Sequence, residues 1–248
     1  MGKDLEIVDT WLEEINLHLN LKKTSAICFS KPGCKLEKPE LWYKNSKILY
    51  ATSLKFLGLH IDEHLTWKAH INKVIKKIVP VSKAFTRIRN YLTDEMKRSL
   101  YFAVVHSHLG FLSHVWGHCN DGDLQRLVVI QNRSIKILFK LHPRTPSVDV
   151  YSSLKIVPIN KLIKIKSALH LVKNFSSPRS DLSALMGVDI HNYHTRSRHT
   201  LRVPEIPLSA TYGTNNILNQ AIFYYNKIPL NIRTESELKI KKYLLNVV

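Results

Sequence analysis

The sequence predicts an α+β fold that is mostly α: a small β-containing head with an N-terminal helix, followed by a helical body. Three observations predict it. Short strand-like runs bounded by turn residues are confined to the segment before Ile61. From Thr66 onward, apolar residues recur at spacings of three and four, the period of a helix face. Hydrophobic residues make up 44% of the 248 residues, enough for a real core and too rich for a disordered chain.

Leu5, Val8, Leu12, Ile15 and Leu19 define the first helix, over Asp4 to Leu19, with Trp11 near its apolar face. Asn16 or Asn20 is placed to end it, because Asn tolerates the left-handed conformation used at helix ends. Thr24 to Phe29 is a strand candidate stopped by Pro32-Gly33, and Cys28 within it is expected to be a buried thiol. Leu41-Trp42-Tyr43 and Ile48-Leu49-Tyr50 are two more strand-like runs, separated at Asn45-Ser46. Leu54 to Ile61 alternates as a further strand, with Gly58 marking a bulge or a close backbone approach.

In the helical body, Ile71, Val74, Ile75, Ile78, Phe85 and Ile88 form an apolar stripe. Pro80 lies inside it and predicts a kink or break, because it lacks the amide proton. Thr93 is placed to cap the next helix, and Asp121 or Asp123 the one after, which runs to Leu141 before Pro143 and Pro146. Val148 to Leu154 and Ile159 to Phe175 follow as helices, and Ser176 to Ser180 as a loop. Asp189 to Gly213 is expected to be irregular, with terminal helices at Asn215 to Asn226 and Glu235 to Asn246.

Charge is the unusual feature. Lys and Arg number 37 against 19 Asp and Glu, a formal net charge of +18. Such an excess repels itself and is expected to face a polyanion; nucleic acid is the most economical choice, a membrane surface or acidic protein the alternative. The three cysteines, Cys28, Cys34 and Cys119, do not read as a disulfide framework. There is no apolar signal core after Met1, and no uncharged run nears the roughly 18–20 residues that span a membrane. The chain is therefore expected inside the cell, in nucleus or cytoplasm.

The order of short motifs resembles the reverse transcriptases of non-LTR retrotransposons, especially jockey-like and related LINE elements. Leu19-Asn20-Leu21-Lys22-Lys23-Thr24 resembles the signature that follows the catalytic motif of these enzymes. Phe56 to Asp62 resembles their primer-grip hairpin, and Leu65-Thr66-Trp67 with His70-Ile71 the opening of their thumb. His106-Ser107-His108-Leu109, Trp116-Gly117, Gln131-Asn132-Arg133, Thr195-Arg196 and Tyr225 to Pro229 resemble later elements in the same order. Asn16 stands where the family usually has Gly, and Tyr225 where it has Trp.

The resemblance implies a palm remnant with the primer-grip hairpin at 1–62, a helical thumb at 63–142 and a helical C-terminal region at 143–248. It implies a fragment of an RNA-directed DNA polymerase whose partner is an RNA/DNA primer–template duplex. The family holds Mg²⁺ with aspartates that include an adjacent pair, and this sequence has no Asp-Asp pair. That pair, and the rest of the polymerase, are expected upstream in a parent protein, and this chain alone is expected to be inactive with no catalytic or metal-ligating residue. Asp121-Gly122-Asp123 reads as a helix-capping turn rather than a metal site, since nucleotide addition needs converging carboxylates. His191, His194 and His199 have no cysteine nearby and do not read as a zinc site.

By the same resemblance, Lys23 is the residue near the incoming triphosphate, where it offsets charge on the leaving pyrophosphate. Phe56, Leu57 and Gly58 are the primer grip. The residues themselves make Lys68, Lys73, Lys76, Lys77, Lys83, Arg87 and Arg89 the candidate phosphate contacts, with Lys97 and Arg98 beyond, because only Asp94 and Glu95 oppose them. The alternative readings are a non-catalytic nucleic-acid-binding protein and a relic of a decayed element.

Overall fold

A computed structural model describes residues 2–34, 37–175, 217–233 and 235–247. The fold is α+β and mostly α, in two compact units, Met1–His70 and Ile71–Val248. The expected loop at 176–180, the irregular segment at 189–213 and the histidines within it lie outside the described residues.

In the first unit, helix α1 (Gly2–Glu14) is shorter than the apolar spacing suggests. Asn16 adopts φ 54°, and the Leu17 amide donates to the Leu12 carbonyl at 2.8 Å. This six-residue closure ends the helix where Asn tolerates the left-handed turn. Leu19, expected on the helix, instead packs with Leu5 against Leu41, Tyr43 and Ile48. Trp11 is exposed.

Strands β1 (Leu41–Tyr43) and β2 (Ser46–Ile48) form an antiparallel hairpin in which Tyr43 faces Ser46. Its second strand therefore begins and ends earlier than the apolar run Ile48 to Tyr50. Tyr43 donates its hydroxyl to Asp9, and Lys44 pairs with Asp9 at 3.1 Å, so the hairpin turn is bound to α1. The Tyr43 hydrogen bond, with Lys44 adding to it, holds the Asp9 carboxyl below its usual range. The expected strand from Thr24 to Phe29 reduces to a single parallel bridge between Ala26 and Tyr50. Ala26 donates to Leu49 and accepts from Ala51, and the ladder goes no further. Cys28 is accordingly half-buried rather than enclosed.

The segment read as one strand from Leu54 to Ile61 is two. Strands β3 (Ser53–Phe56) and β4 (Leu59–Asp62) pair antiparallel with Phe56 opposite Leu59. Leu57 (φ 45°) and Gly58 (φ 89°) form the two-residue turn between them. Two consecutive positive φ angles match the right-handed twist of the strands they join, so Gly58 marks a turn and not a bulge. After β4, the Asp62 carboxylate accepts from the amides of His64, Thr66 and Trp67 and from the Thr66 hydroxyl. These bonds hold Leu65 and Trp67 at positive φ and bury Trp67.

Helix α2 (Lys68–Ile88) continues into the second unit. It passes through Pro80 without a break, so of the expected kink or break the second is excluded. Pro80 is exposed, so the carbonyl that loses its amide partner lies on the side open to water. Next, α3 (Asp94–Leu100) is capped by the Thr93 hydroxyl, which accepts from the Met96 amide at 3.3 Å. It runs without interruption into a π-helical segment (Tyr101–His106) and α4 (Ser107–Gly110). Tyr101, Val105 and Leu109, four residues apart, are all fully buried.

Short α5 (Ser113–Trp116) precedes α6 (Asp121–Leu138). The cap of α6 is Asn120, whose side chain accepts from the Asp123 amide at 2.8 Å, so neither Asp121 nor Asp123 caps it. Then come α7 (Ser147–Ser153), α8 (Ile159–Phe175), α9 (Ile217–Asn226), α10 (Leu230–Arg233) and α11 (Glu237–Val247). The short α10 has no counterpart in the sequence reading. A core of Ile165, Ala168, Leu169, Ile228, Ile240 and Leu244 joins α8 to the C-terminal helices. Arg233 closes the end of α9 by donating to the carbonyls of Ile228 (2.8 Å) and Asn226 (3.2 Å) while its guanidinium covers the Tyr225 ring.

Candidate nucleic-acid interface

The apolar residues of α2 fix which way its cations point. Ile71, Val74, Ile78 and Phe85 are buried, so the helix presents its other face to solvent. Lys73, Lys76, Lys77, Lys83 and Arg87 are all exposed there. Lys73, Lys76, Lys77 and Arg87 fall at offsets that keep one face, and Lys83 borders them. No carboxylate occurs anywhere in α2, so nothing within the helix offsets this charge. Lys68 is exposed in the first turn and belongs to the first unit.

Arg89 stands apart from that stripe. It follows the last turn of α2, is half-buried, and donates Nη1 to the Ile137 carbonyl at 2.9 Å. The reason is the packing of α2 on α6, which run parallel. Asn72 accepts from Arg126 at 2.8 Å, the buried Ser82 and Ser134 hydroxyls meet at 2.6 Å, and Arg89 reaches Ile137. The C-terminal ends of both helices thus lie together. Arg89 meets Arg133, Lys136 and Lys140 around a groove of about 740 Å³, with Val129 and Ile137 among its apolar lining. The sequence reading missed this grouping because Arg89 is far from α6 in the chain. One signal was available: Arg133, Lys136 and Lys140 recur at three and seven, a basic face of α6.

Phe56, Leu57 and Gly58 sit at the tip of the β3–β4 hairpin. Phe56 is 57% exposed and Leu57 76% exposed, an apolar tip offered to solvent. Lys23 is exposed in the turn where its amide donates to the Asn20 carbonyl at 2.9 Å. Both candidates belong to the first unit.

Asp121 is exposed, whereas the Asp123 carboxylate accepts from Arg126 at 2.7 Å and from the Asn120 side chain at 3.0 Å. These two aspartates form the first turn of a helix and do not converge. The donor set around them does not fit a pair of catalytic Mg²⁺ ions, which need several carboxylates aimed at one point.

The other motif residues have structural partners. Gln131, fully buried, donates to the Tyr101 hydroxyl (2.8 Å) and the Val157 carbonyl (3.0 Å) and accepts from the Ile159 amide (2.8 Å). Burial pushes the Tyr101 phenol up to about 12. Trp116 is fully buried and donates to the Phe111 carbonyl at 2.7 Å. Beside it, a Cβ on Gly117 would meet the Ser113 carbonyl at 2.3 Å and Ile163 at 2.6 Å. His106 packs on the Phe102 ring, 4.9 Å between centroids. His114 stacks on His170 at 4.6 Å; burial, then His170, Lys166 and His118, lowers its pKa from 6.5 to about 4.

Among the described residues, no helix is long and apolar enough to cross a membrane. No protein-family model matches the chain, and no solved structure matches it. The chain is similar to the probable RNA-directed DNA polymerase from transposon X-element of Drosophila melanogaster, 20% identical over 164 residues. That stretch covers 64% of this chain and 18% of the fly protein. The similarity supports an origin related to transposon-encoded RNA-directed DNA polymerases.

Proposed function

We propose that this chain is the primer-grip and thumb part of a non-LTR, jockey-like retrotransposon reverse transcriptase, and that it holds a primer–template duplex without extending it. The observation that carries the reading is the outer face of α2, where Lys73, Lys76, Lys77, Lys83 and Arg87 are exposed on a helix with no carboxylate. A row of cations on one rigid helix tracks a phosphate backbone and gives affinity with little sequence preference. The similarity to a transposon polymerase makes primer–template the fitting polyanion. The exposed tip at Phe56, Leu57 and Gly58 serves as the primer grip, and Lys23 serves the triphosphate when the remainder of the polymerase, with its metal-holding aspartates, is supplied. The absence of an Asp-Asp pair and the commitment of Asp123 to Arg126 and Asn120 support the lack of extension by this chain alone.

The test is binding of the purified chain to a labelled primer–template over a salt series, with Mg²⁺ and nucleotides in a parallel extension assay. The expected result is binding whose affinity falls by about 0.9 log unit per log unit of salt for each phosphate neutralised, with no extension. Replacing Lys73 and Lys77 by Glu is expected to weaken binding at least roughly tenfold. Robust extension overturns the inactive reading. Absence of binding at low salt overturns the nucleic-acid reading and leaves a relic of a decayed element as the better account.

A further inference from the structure

The groove at the adjoining C-terminal ends of α2 and α6 is not used by the α2 stripe. Its four cations, Arg89, Arg133, Lys136 and Lys140, share it with no carboxylate among the residues that line it. Two are held in place by neutral acceptors: Arg89 by the Ile137 carbonyl and Lys136 by the Pro143 carbonyl at 2.7 Å. Such bonds fix position and leave the full positive charge. Arg133 and Lys140 are exposed. None of the four is paired with a carboxylate among the described residues.

Lys140 adds an independent observation. It has φ 57°, and the Leu141 amide donates to the Lys136 carbonyl at 2.9 Å, so it occupies the left-handed position that ends α6. Gly or Asn takes that position without strain; a lysine there is uphill. Lys140 thus stands at the rim of the groove in a conformation its backbone disfavours. Apart from Asn132, whose side-chain oxygen accepts from Tyr151, the remaining lining is apolar, with Val129 55% exposed beside Ile137 and Leu141.

We infer that this groove is a second nucleic-acid site, which takes a single unpaired strand. Its phosphates meet Arg89, Arg133, Lys136 and Lys140, and its bases lie on the apolar strip or against the guanidinium planes. A duplex hides its base faces in the stack and offers such a strip nothing. The volume lies in the ~300–1,000 Å³ range of clefts and cavities that take ligands, enough for a nucleotide or two and far short of a double helix. The inference rests on the reading that the chain binds nucleic acid, and it divides the ligands: duplex on the outer face of α2, single strand in this groove.

The experiment uses the full chain, a labelled single-stranded RNA of about eight nucleotides and a labelled primer–template duplex. Arg133→Glu/Lys140→Glu, at exposed positions, is compared with Lys73→Glu/Lys77→Glu. The first pair is expected to weaken single-strand binding at least about tenfold and to flatten its salt slope by roughly 1.4, two contacts at ~0.7 each, with duplex affinity within about twofold. The second pair is expected to do the reverse, and saturating duplex leaves the single strand bound. The inference is overturned if the first pair leaves single-strand binding unchanged, if it weakens both ligands equally, or if duplex displaces the strand. Single-strand binding without duplex binding overturns the primer–template reading and leaves this one standing.

Discussion

Gln131 and Tyr101 are joined by a 2.8 Å hydrogen bond in which the buried amide of α6 donates to the buried phenol of the π-helical segment. The same amide also holds the Val157 carbonyl and the Ile159 amide, so one side chain links α6, the π-helical segment and the start of α8. Gln131→Leu keeps the volume and strands all three partners. It is expected to lower unfolding stability by about 2–4 kcal/mol, because a buried group left unpaired costs ~1–3 kcal/mol. Tyr101→Phe is expected to cost less, near 1 kcal/mol. Urea unfolding of both single variants and the double variant measures the coupling; additivity would show that the bond does not act as described.

Gly117 and Gly122 make a matched pair. Gly117→Ala places a methyl group against backbone at 2.3 Å and is expected to cost about 2 kcal/mol or more, the overpacking range. Gly122→Ala meets only the Asn120 side chain at 3.4 Å and is expected to be neutral or stabilising by up to ~1 kcal/mol. Thermal melts of the two variants check the contrast, and equal melting temperatures count against the packing of α5 on α8.

The stacked His114 and His170 set a pH dependence. Folding favours the neutral His114 ring, so the unfolded chain binds more protons between pH 6.5 and about 4. Stability is therefore present above pH 6.5 and is lost as pH falls toward 4. His114→Gln is expected to flatten urea midpoints across that window. A profile of unchanged slope would remove the histidine from the account.

Leu57 presents a conflict between stability and use. A leucine at φ 45° is disfavoured, whereas Asn-Gly is the preferred pair for this turn. Leu57→Asn is expected to stabilise the β3–β4 hairpin by roughly 0.5–1 kcal/mol. If the apolar tip grips primer, the same change weakens primer–template binding. Hydrogen exchange in β3 and β4, with binding measured alongside, tests both; a more stable hairpin with undiminished binding would show that the tip does not touch primer.

What the sequence disclosed follows the range of the forces involved. The bounds of α8 and the Thr93 cap were legible because apolar period and capping are local to a few residues. The β3–β4 hairpin was not, because Phe56-Leu57-Gly58-Leu59 alternates like a strand and the turn shows only in two backbone angles. The resemblance to polymerases supplied that hairpin where periodicity did not. The stripe on α2 was legible from spacing alone. The groove was hidden because Arg89 and Lys140 become neighbours only through the parallel packing marked by Ser82 and Ser134.

The unbroken helix from Asp94 to Gly110 changes pitch in its middle. The Tyr101 amide still reaches back to Lys97, but the Ser107 amide reaches back five residues to Phe102. The wider turn keeps Tyr101, Val105 and Leu109 in line along the axis, where an ordinary helix would drift round by roughly 40° every four residues. The segment thus holds one residue more than an ordinary helix needs for the same turns. Removing one residue from it would restore ordinary pitch and leave the turns on either side close to their present register, with Leu109 still in the core. The helix therefore has a place where it can lose one residue, whereas the same deletion within Asp94–Leu100 would turn everything beyond it by roughly 100°.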